Sequence, residues 1–417
     1  MEEITVPTGA INSSDSLPPR PLALWLRQQF IRRNGNLAAV ALMLVLLQGA
    51  LLVLVPAVES LVTAGTLAWR RLLIGNLVQW DTGWLLHIAR EGYTNLADTA
   101  FFPLYPLVVR LAHRLTGIGF AVSGVALSLF FFLIAIYVLG LWLFNQFGLR
   151  TAYLGMALLV FFPTSFYFRA AYTESMFLAF VLLAVYASSR GHFVTAGIVT
   201  SFASLTRNTG LFVCAILVVD YVYQRNMGLQ FWTREWWQRI DRKALGLVLP
   251  PLTFAGYLLW LQSHTGHAFA FMLAQQYWHR TYLPPWRTLM ATLWQLIENH
   301  QPSVWPYHAY EFAAWLFAFA GLLLGLKYLR QPHHRGNALY LLLVLWVCTS
   351  APARTGVHLH HWDYLLSMPR FDLTLFPAFA YMANRLRKKF WIALTLGVSI
   401  SGLCLLYSLF CMGDFLA

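Results

Sequence analysis

The sequence predicts an all-α polytopic membrane protein, and three observations carry that prediction. Of the 417 residues, 59 % are apolar and only 11 % are charged, whereas an average soluble domain carries about a quarter charged residues. Apolar runs recur along the whole chain, several of them reaching the roughly 20 residues a helix needs to cross a bilayer core. The chain has 29 Lys and Arg against 16 Asp and Glu, and the excess concentrates in alternate intervals between the runs. That distribution fits cytoplasmic loops held at an anionic leaflet. It does not form the basic-aromatic patch of a nucleic-acid binder, so nucleic acid is not an expected partner. A soluble enzyme, a disordered regulator and a disulfide-stapled secreted domain are excluded.

The first 35 residues are polar, with Pro18, Pro19 and Pro21 among them. They lack the basic-then-apolar layout of a cleaved signal, so residues 1–35 are expected to be a flexible cytoplasmic tail and the first span an uncleaved anchor. Clear runs follow at Asn36–Val62, Ala121–Leu143, Ala152–Phe168, Leu245–Gln262 and Phe390–Met412. Shorter ones lie at Ser175–Ser189, Phe193–Thr206, Leu211–Val222, Phe312–Leu326, Ala338–Ser350 and Leu373–Ala383. About 11 transmembrane helices result, in a single membrane domain over 36–417 with no internal repeat. With the N-terminus inside, 18 of the 29 basic residues fall on inner segments, as the positive-inside rule requires. The stretch Gly228–Lys243, with Phe231, Trp232, Trp236 and Trp237 among arginines, reads as an interfacial helix on that inner face. Cys214, Cys348, Cys404 and Cys411 all sit in apolar runs and read as small buried hydrophobes.

The first external loop (63–120) carries two juxtamembrane helices. Over Thr82–Arg90 the residues Trp84, Leu85 and Ile88 share a face, with Asp81 at the N-cap and Gly92 past the end. Pro103 and Pro106 open a second amphipathic stretch, Leu107–Leu115. Trp80, Trp84 and Tyr93 are expected as interface anchors. Asp81 reads either as a helix cap or as a carboxylate at the membrane boundary able to take a proton from a hydroxyl; the local pattern leaves both open.

The wider arrangement favours chemistry. Charged residues near span ends are costly, which makes them candidates for function. On the expected outer side these are Asp81; Arg169, Tyr172 and Glu174; Arg207 and Asn208; Gln275, Trp278 and Arg280; and His358, His360, His361, Asp363 and Arg370. A carboxylate base and several guanidinium groups are what glycosyl transfer from a lipid-phosphate sugar needs: one activates the acceptor hydroxyl, the others hold the departing phosphate. Each has a plainer reading. Arg207 snorkels to headgroups, Glu174 caps the following helix, Arg280 pairs with lipid phosphate, and Trp278 is an anchor. The group His358, His360, His361 and Asp363 reads first as solvated loop histidines, then as a substrate contact, and last as a Zn²⁺ or Mn²⁺ site. Asp220 and Glu59 have no assigned role.

These segments together resemble the PIG-V-type mannosyltransferases of the GT-C superfamily. The resemblance rests on Trp80-Asp81-(x)2-Trp84-(x)2-His87-Ile88-Ala89-(x)2-Gly92-Tyr93 and on Ala100 through Tyr105-Pro106. It continues through Pro163 to Tyr172-Thr173-Glu174-Ser175, Arg207-Asn208-(x)-Gly210, Ala274-Gln275-(x)2-Trp278-(x)-Arg280, and Arg370-Phe371 before Phe376-Pro377. It implies a GT-C-type fold, a polyprenyl-phosphate sugar donor (typically dolichyl phosphate mannose) and an acidic base in the first external loop, which maps to Asp81. Taken with the outer polar groups above, the candidate substrate-binding residues are Trp80, His87, Tyr105, Tyr172, Glu174, Arg207, Asn208, Gln275, Trp278, Arg280, His361 and Arg370. The chain is shorter than typical eukaryotic members, and its sequon Asn12-Ser13-Ser14 lies on the expected cytoplasmic tail. A prokaryotic plasma-membrane protein is therefore expected, with a lipid or glycolipid acceptor other than GPI. The reading is an inverting, metal-independent glycosyltransferase without cofactors. Asp81 is its base, and Arg207, Arg280 and Arg370, with Gln275, hold the phosphate on the external face. Its rivals are a secondary transporter, whose site would lie at the midplane within repeats, and a non-catalytic membrane subunit.

Overall fold

The computed structural model describes residues 22–64, 66–67, 69–228, 231–298, 305–355 and 361–413. Among them the chain forms α1 (Leu22–Ala64), α2 (Trp69–Leu73), α3 (Asp81–Glu91), α4 (Leu104–Thr116), α5 (Phe120–Phe147), α6 (Leu149–Val160), α7 (Glu174–Ser189), α8 (Phe193–Thr206) and α9 (Val213–Gln224). It continues with α10 (Arg234–Gln238), α11 (Leu245–Thr265), α12 (Ala270–Leu273), α13 (Pro285–Glu298), α14 (Trp305–Leu326) and α15 (Pro332–Thr349). A two-stranded hairpin, β1 (Ala353–Thr355) and β2 (His361–Asp363), precedes α16 (Met368–Phe371), α17 (Phe376–Arg385) and α18 (Lys389–Met412). Each of the eleven apolar segments read from the sequence contains a helix. Within the described residues, five are long and apolar enough to cross a membrane: Gly35–Val62, Phe120–Phe147, Arg242–Thr265, Trp305–Leu326 and Lys389–Met412.

Several boundaries differ from expectation for local reasons. Helix α1 starts at Leu22, so part of the expected tail is helical, and residues 1–21 lie outside the described residues. The run Ala152–Phe168 stops being α-helical at Val160. Pro163 lies just beyond and lacks the N–H a helix would need, and the chain continues as a buried 3₁₀ turn, Ser165–Phe168. The second loop helix begins three residues early, at Leu104, with Pro106 inside its first turn, where a missing donor costs nothing. Of Gly228–Lys243, the α-helical part is Arg234–Gln238, started by the Thr233 side chain accepting the Trp236 N–H; residues 229–230 are not described.

The core is built on α5, α6, α7, α8, α9, α15 and α17, whose facing residues are almost all fully buried. Small residues set the closest approaches. A Cβ on Gly246 would run into the backbone of Phe193, and one on Gly197 into the backbone of Gly246, so α8 and α11 cross in backbone contact. Gly321 meets Ala378 in the same way, bringing α14 onto α17. Such contacts let apolar helices gain dispersion energy where lipid removes the hydrophobic drive to associate.

Polar contacts sort the connections into two ends. At one end the Arg150 guanidinium donates to Leu386 O. Nearby, Thr151 donates to Asn384 at 3.4 Å, and Asn384 donates to the Tyr328 hydroxyl at 2.6 Å. These are segments the charge pattern assigns to the inner side. The opposite end gathers the segments around residues 81, 174, 207 and 370.

Two polar residues without an assigned role find partners between helices. The Ser188 hydroxyl donates to Asp220 at 2.8 Å, joining α7 to α9, and Ser408 donates to Glu59 at 3.1 Å, joining α18 to α1.

Candidate active site

Asp81 is the first residue of α3, one position later than the expected N-cap; Trp80 occupies the cap with φ 51°. The reason is a tight turn. Thr82 N–H bonds to Gln79 O at 3.1 Å and Gly83 N–H to Trp80 O at 2.9 Å, so the chain reverses before the helix starts. Thr82 is buried against the residue 171 carbonyl, and Ala171 N–H bonds to Leu77 O at 3.1 Å. The segment between α1 and α5 is thereby held on the segment leading into α7.

That segment delivers Glu174, the first residue of α7, with no exposed surface. One of its oxygens, Oε1, accepts from both Arg207 NH1 and Arg370 Nε. Arg370 reaches in the other direction with NH1 to Asp81 Oδ2. The result is one chain of alternating charge, Asp81–Arg370–Glu174–Arg207, drawn from four separate stretches of sequence and formally neutral. Arg207 NH1 also donates to Thr173 Oγ1 at 3.2 Å. Aromatic faces line the cations: Arg370 lies 4.6 Å over Tyr172 and 5.5 Å over Tyr167, and Arg207 lies 5.2 Å over Phe371. Burial works against a charged Arg370, yet Glu174 and Asp81 hold its pKa well above the ordinary value. Burial likewise raises the phenols of Tyr167 and Tyr172, keeping both neutral.

Two of the pairs differ in exposure. The Glu174 side chain is 0 % exposed, while that of Asp81 keeps 17 %. Glu174 is thus the fixed counter-ion that holds two arginines in place. Asp81 is the more exposed carboxylate of the chain.

Arg280 approaches from the loop after α12. Packing lowers its pKa, against the pull of Asp363 and Asp81. Its NH1 donates to Ala351 O at 3.1 Å, and its backbone bridges to Ala353, so the loop extends the edge of the hairpin. His279 before it has φ 50°. Trp278 sits beside the site in an aromatic cluster, 5.6 Å from Trp84 and 5.6 Å from Phe101, tying the segment after α12 to that around α3.

The remaining nominated residues are placed elsewhere or turned to other work. Trp80 is 45 % exposed. His87 bonds to Thr94 Oγ1 at 3.0 Å and lies 3.8 Å from Asp98, which fixes the turn after α3. Tyr105 is fully buried, its hydroxyl donating to Gly124 O and meeting Ser128 Oγ, both at 3.0 Å, so its ring has no face for a substrate. Tyr172 donates its hydroxyl to Gln79 O at 3.0 Å. Gln275 donates to Phe271 O at 3.3 Å, and Asn208 accepts from Thr209 N–H at 2.8 Å in a local turn.

His361 lines a cleft of about 710 Å³ between α13 and the hairpin, with Arg287, Trp294, Gln295 and Trp362; Asp81 is not among its walls. The reading of a solvated loop over His358–Asp363 needs correction at its end. His358 and His360 lie outside the described residues, but His361 and Asp363 form a strand, and Asp363 is buried with 1 % exposure. Burial pushes its carboxyl well above the usual carboxylate range.

Tyr167, Thr173 and Phe371 touch the two arginines; Thr173 and Phe371 stood in the motifs that carry the resemblance but were not nominated as site residues, and Tyr167 was not singled out. Thr173 and Phe371 are the chain neighbours of Glu174 and Arg370, whereas Tyr167 is seven residues from Glu174. Glu311, buried with His308 near Asp363, was missed because the apolar run was started one residue after it.

The family model for mannosyltransferase (PIG-V) matches residues 41–285, more than half of the chain and inclusive of Asp81, Glu174 and Arg207. GPI mannosyltransferase 2 of Drosophila melanogaster is 34 % identical over 116 residues, 25 % of this chain and 25 % of that protein. Among solved structures, ArnT from Cupriavidus metallidurans bound to undecaprenyl phosphate is similar with a TM-score of 0.43 at 17 % identity, over 74 % of this chain and 53 % of that one. The Archaeoglobus fulgidus oligosaccharyltransferase in complex with Zn and sulfate is similar with a TM-score of 0.41 at 12 % identity, over 75 % and 44 %. The chain thus spans about a quarter of the length of that curated relative and about half of those solved chains. The chain belongs to the mannosyltransferase (PIG-V) family.

Proposed function

We propose that this protein transfers a mannosyl residue from a polyprenyl-phosphate donor to a hydroxyl of a lipid-linked or glycolipid acceptor at the external face, with inversion at the anomeric carbon. The single observation that supports it best is the chain Asp81–Arg370–Glu174–Arg207. A carboxylate and two guanidinium groups are held within one network, with the carboxylate at its more accessible end.

In this reading the donor phosphate binds Arg370 and Arg207, with Arg280 adding charge from the neighbouring loop. A phosphate oxyanion competes with Asp81 for Arg370 NH1, and both are acceptors for a charge-assisted bond of similar strength. Donor arrival therefore loosens the Asp81–Arg370 pair and frees the Asp81 carboxylate to face the acceptor hydroxyl. The acceptor oxygen attacks C1, the C1–O bond to phosphate breaks, and the phosphate leaves with the electron pair. Asp81 takes the hydroxyl proton as the new bond forms. Arg370 and Arg207 stabilise the dianion that develops, while Glu174 keeps both in position without solvent reorganisation.

The test is incubation of the purified protein with polyprenyl-phosphate mannose and lipid acceptors, followed by mass spectrometry. The expected result is an acceptor heavier by one hexose and release of polyprenyl phosphate. Uptake of solute into proteoliposomes with no covalent product would replace the proposal with transport.

A further inference from the structure

His308 and Glu311, one turn apart at the start of α14, meet Asp363 at the end of β2. One ligand-type atom from each lies within 4.8 Å of the others, and all three side chains are buried, at 5 %, 1 % and 1 % exposure. The partners of these atoms are few. Glu311 Oε1 accepts the Ser367 N–H at 3.3 Å, and its Oε2 stands 4.0 Å from His308 Nδ1. Neither oxygen of Asp363 has a well-formed hydrogen-bond partner, and the Glu311 carboxyl and the Tyr307 phenol are polar groups that act on it. Arg280, the cation that acts on this pair, spends NH1 on a backbone carbonyl.

Two buried carboxylates side by side need either a shared proton or a cation. A shared proton satisfies one oxygen of each, leaves the Tyr307 phenol as the neighbouring donor for the pair's other oxygens, and makes no use of His308. A metal ion uses all three groups. We infer that His308, Glu311 and Asp363 form a binding site for one divalent transition-metal ion of the Mn²⁺ or Zn²⁺ kind. One imidazole with two carboxylates is a donor set both metals accept.

The support for the ring of His308 is also in place. Gln295 on α13 donates to His308 Nε2 at 2.8 Å and to Trp362 O at 2.9 Å, while its own Oε1 is buried without a partner. Metal binding through Nδ1 leaves Nε2 against the Gln295 side chain, which is itself fixed by Trp362 O. This is the outer contact that orients a metal-bound imidazole. The site takes only Asp363 from the histidine-rich stretch weighed as a metal site in the sequence. Its consequence is local: Glu311 also holds the N–H of Ser367, which opens the turn presenting Arg370, so the ion ties α14, the hairpin and that turn together. The site stands on its own geometry and does not depend on the reaction proposed above.

The test is metal titration of the full chain, purified in detergent and stripped with a chelator, using Mn²⁺ followed by electron paramagnetic resonance and Zn²⁺ as competitor. The expected result is one tightly held Mn²⁺ per chain, displaced by Zn²⁺, with a thermal unfolding midpoint that rises when metal is added. The double variant E311Q/D363N removes both charges but keeps the shapes. It should remain folded, take up no stoichiometric Mn²⁺, and show no metal-dependent shift. Gln295→Ala should weaken Mn²⁺ about tenfold through loss of ring orientation. Three outcomes overturn the inference: wild-type protein without stoichiometric metal, a double variant that binds as wild type does, or a protonated-carboxyl infrared band that persists at saturating metal and vanishes in D363N.

Discussion

At the scale of single residues, the site is assembled around unusual backbone conformations. Among the described residues, four non-glycines have positive φ: Trp80, Asn226, His279 and Ser367. Three of them adjoin site residues: Trp80 precedes Asp81, His279 precedes Arg280, and Ser367 opens the turn that ends in Arg370. Such conformations cost about 1–3 kcal/mol each and persist where surrounding contacts fix them. Ser367, at φ 72° and ψ 10°, is in the left-handed region that glycine enters freely. Ser367→Gly should keep the turn and leave the unfolding midpoint level or higher, while the β-branched Ser367→Val should cost roughly 1–3 kcal/mol; thermal unfolding in detergent separates them. Asp81 carries the sharper prediction. Asp81→Asn preserves a hydrogen bond for Arg370 but has no proton affinity, so transfer should fall by about 100-fold or more while donor binding survives. Turnover near wild type would remove Asp81 from the reaction. Asp81, Arg207 and Arg370 were legible as candidates because charge is rare in this chain and each sits beside an apolar run. Their pairing was not legible: that Glu174 receives both arginines depends on the positions of three helix ends, which no local pattern encodes.

At the scale of elements, the helices were readable and their edges were not. Apolar runs mark α5, α11 and α18 well because lipid or core surrounds them for their full length. The run through Ala152–Phe168 misled because composition stays apolar across Phe161–Pro163 while the backbone turns. The hairpin was invisible because strands of three residues show no alternation, and its pairing depends on the 279–283 loop, where Thr281 N–H bonds to Pro352 O at 2.9 Å. Two predictions belong here. Glu174 holds Arg207 from one helix end and Arg370 from α16, so Glu174→Gln leaves two buried cations short of a counter-ion. Breaking a buried pair from one side costs roughly 3–5 kcal/mol, and a large drop in the unfolding midpoint should accompany loss of transfer. A midpoint within a degree of wild type would mean the network is not a structural tie. Gly246→Ala tests the α8–α11 crossing, where an added methyl meets the Phe193 backbone. Backbone cannot step aside as a side chain can, so about 1–3 kcal/mol of destabilisation is expected, against little effect for Gly256→Ala on the same helix, where a Cβ meets nothing within 4 Å.

At the scale of the whole molecule, the same contacts that build the site also order the chain across the membrane. Ion pairs join residues 81, 174, 207 and 370, while hydrogen bonds join Arg150 to Leu386 and Asn384 to Tyr328 at the other end. Helices that alternate between these two groups of connections must run alternately up and down. The positive-inside bias then predicts which end faces the cytoplasm: the end with Arg150, Lys327, Arg330 and Arg385–Lys389 is expected inside, and the Asp81 network outside. That sidedness decides which pool of donor lipid the site meets, so it is the claim on which the external-face reaction depends. Single-cysteine labelling checks it on a chain whose four native cysteines are replaced. Leu115→Cys on α4 and Trp232→Cys before α10 are suited to it, because those residues are 77 % and 71 % exposed and far from the ion-pair network in sequence. In right-side-out vesicles a membrane-impermeant maleimide should modify Leu115→Cys at once and Trp232→Cys only after the membrane is opened. The reverse order would place the Asp81 network in the cytoplasm and move the donor to the inner leaflet. Immediate labelling of both would mean that residues 115 and 232 share one face, and the number of crossings between them would have to be odd-even reassigned from α5 onward.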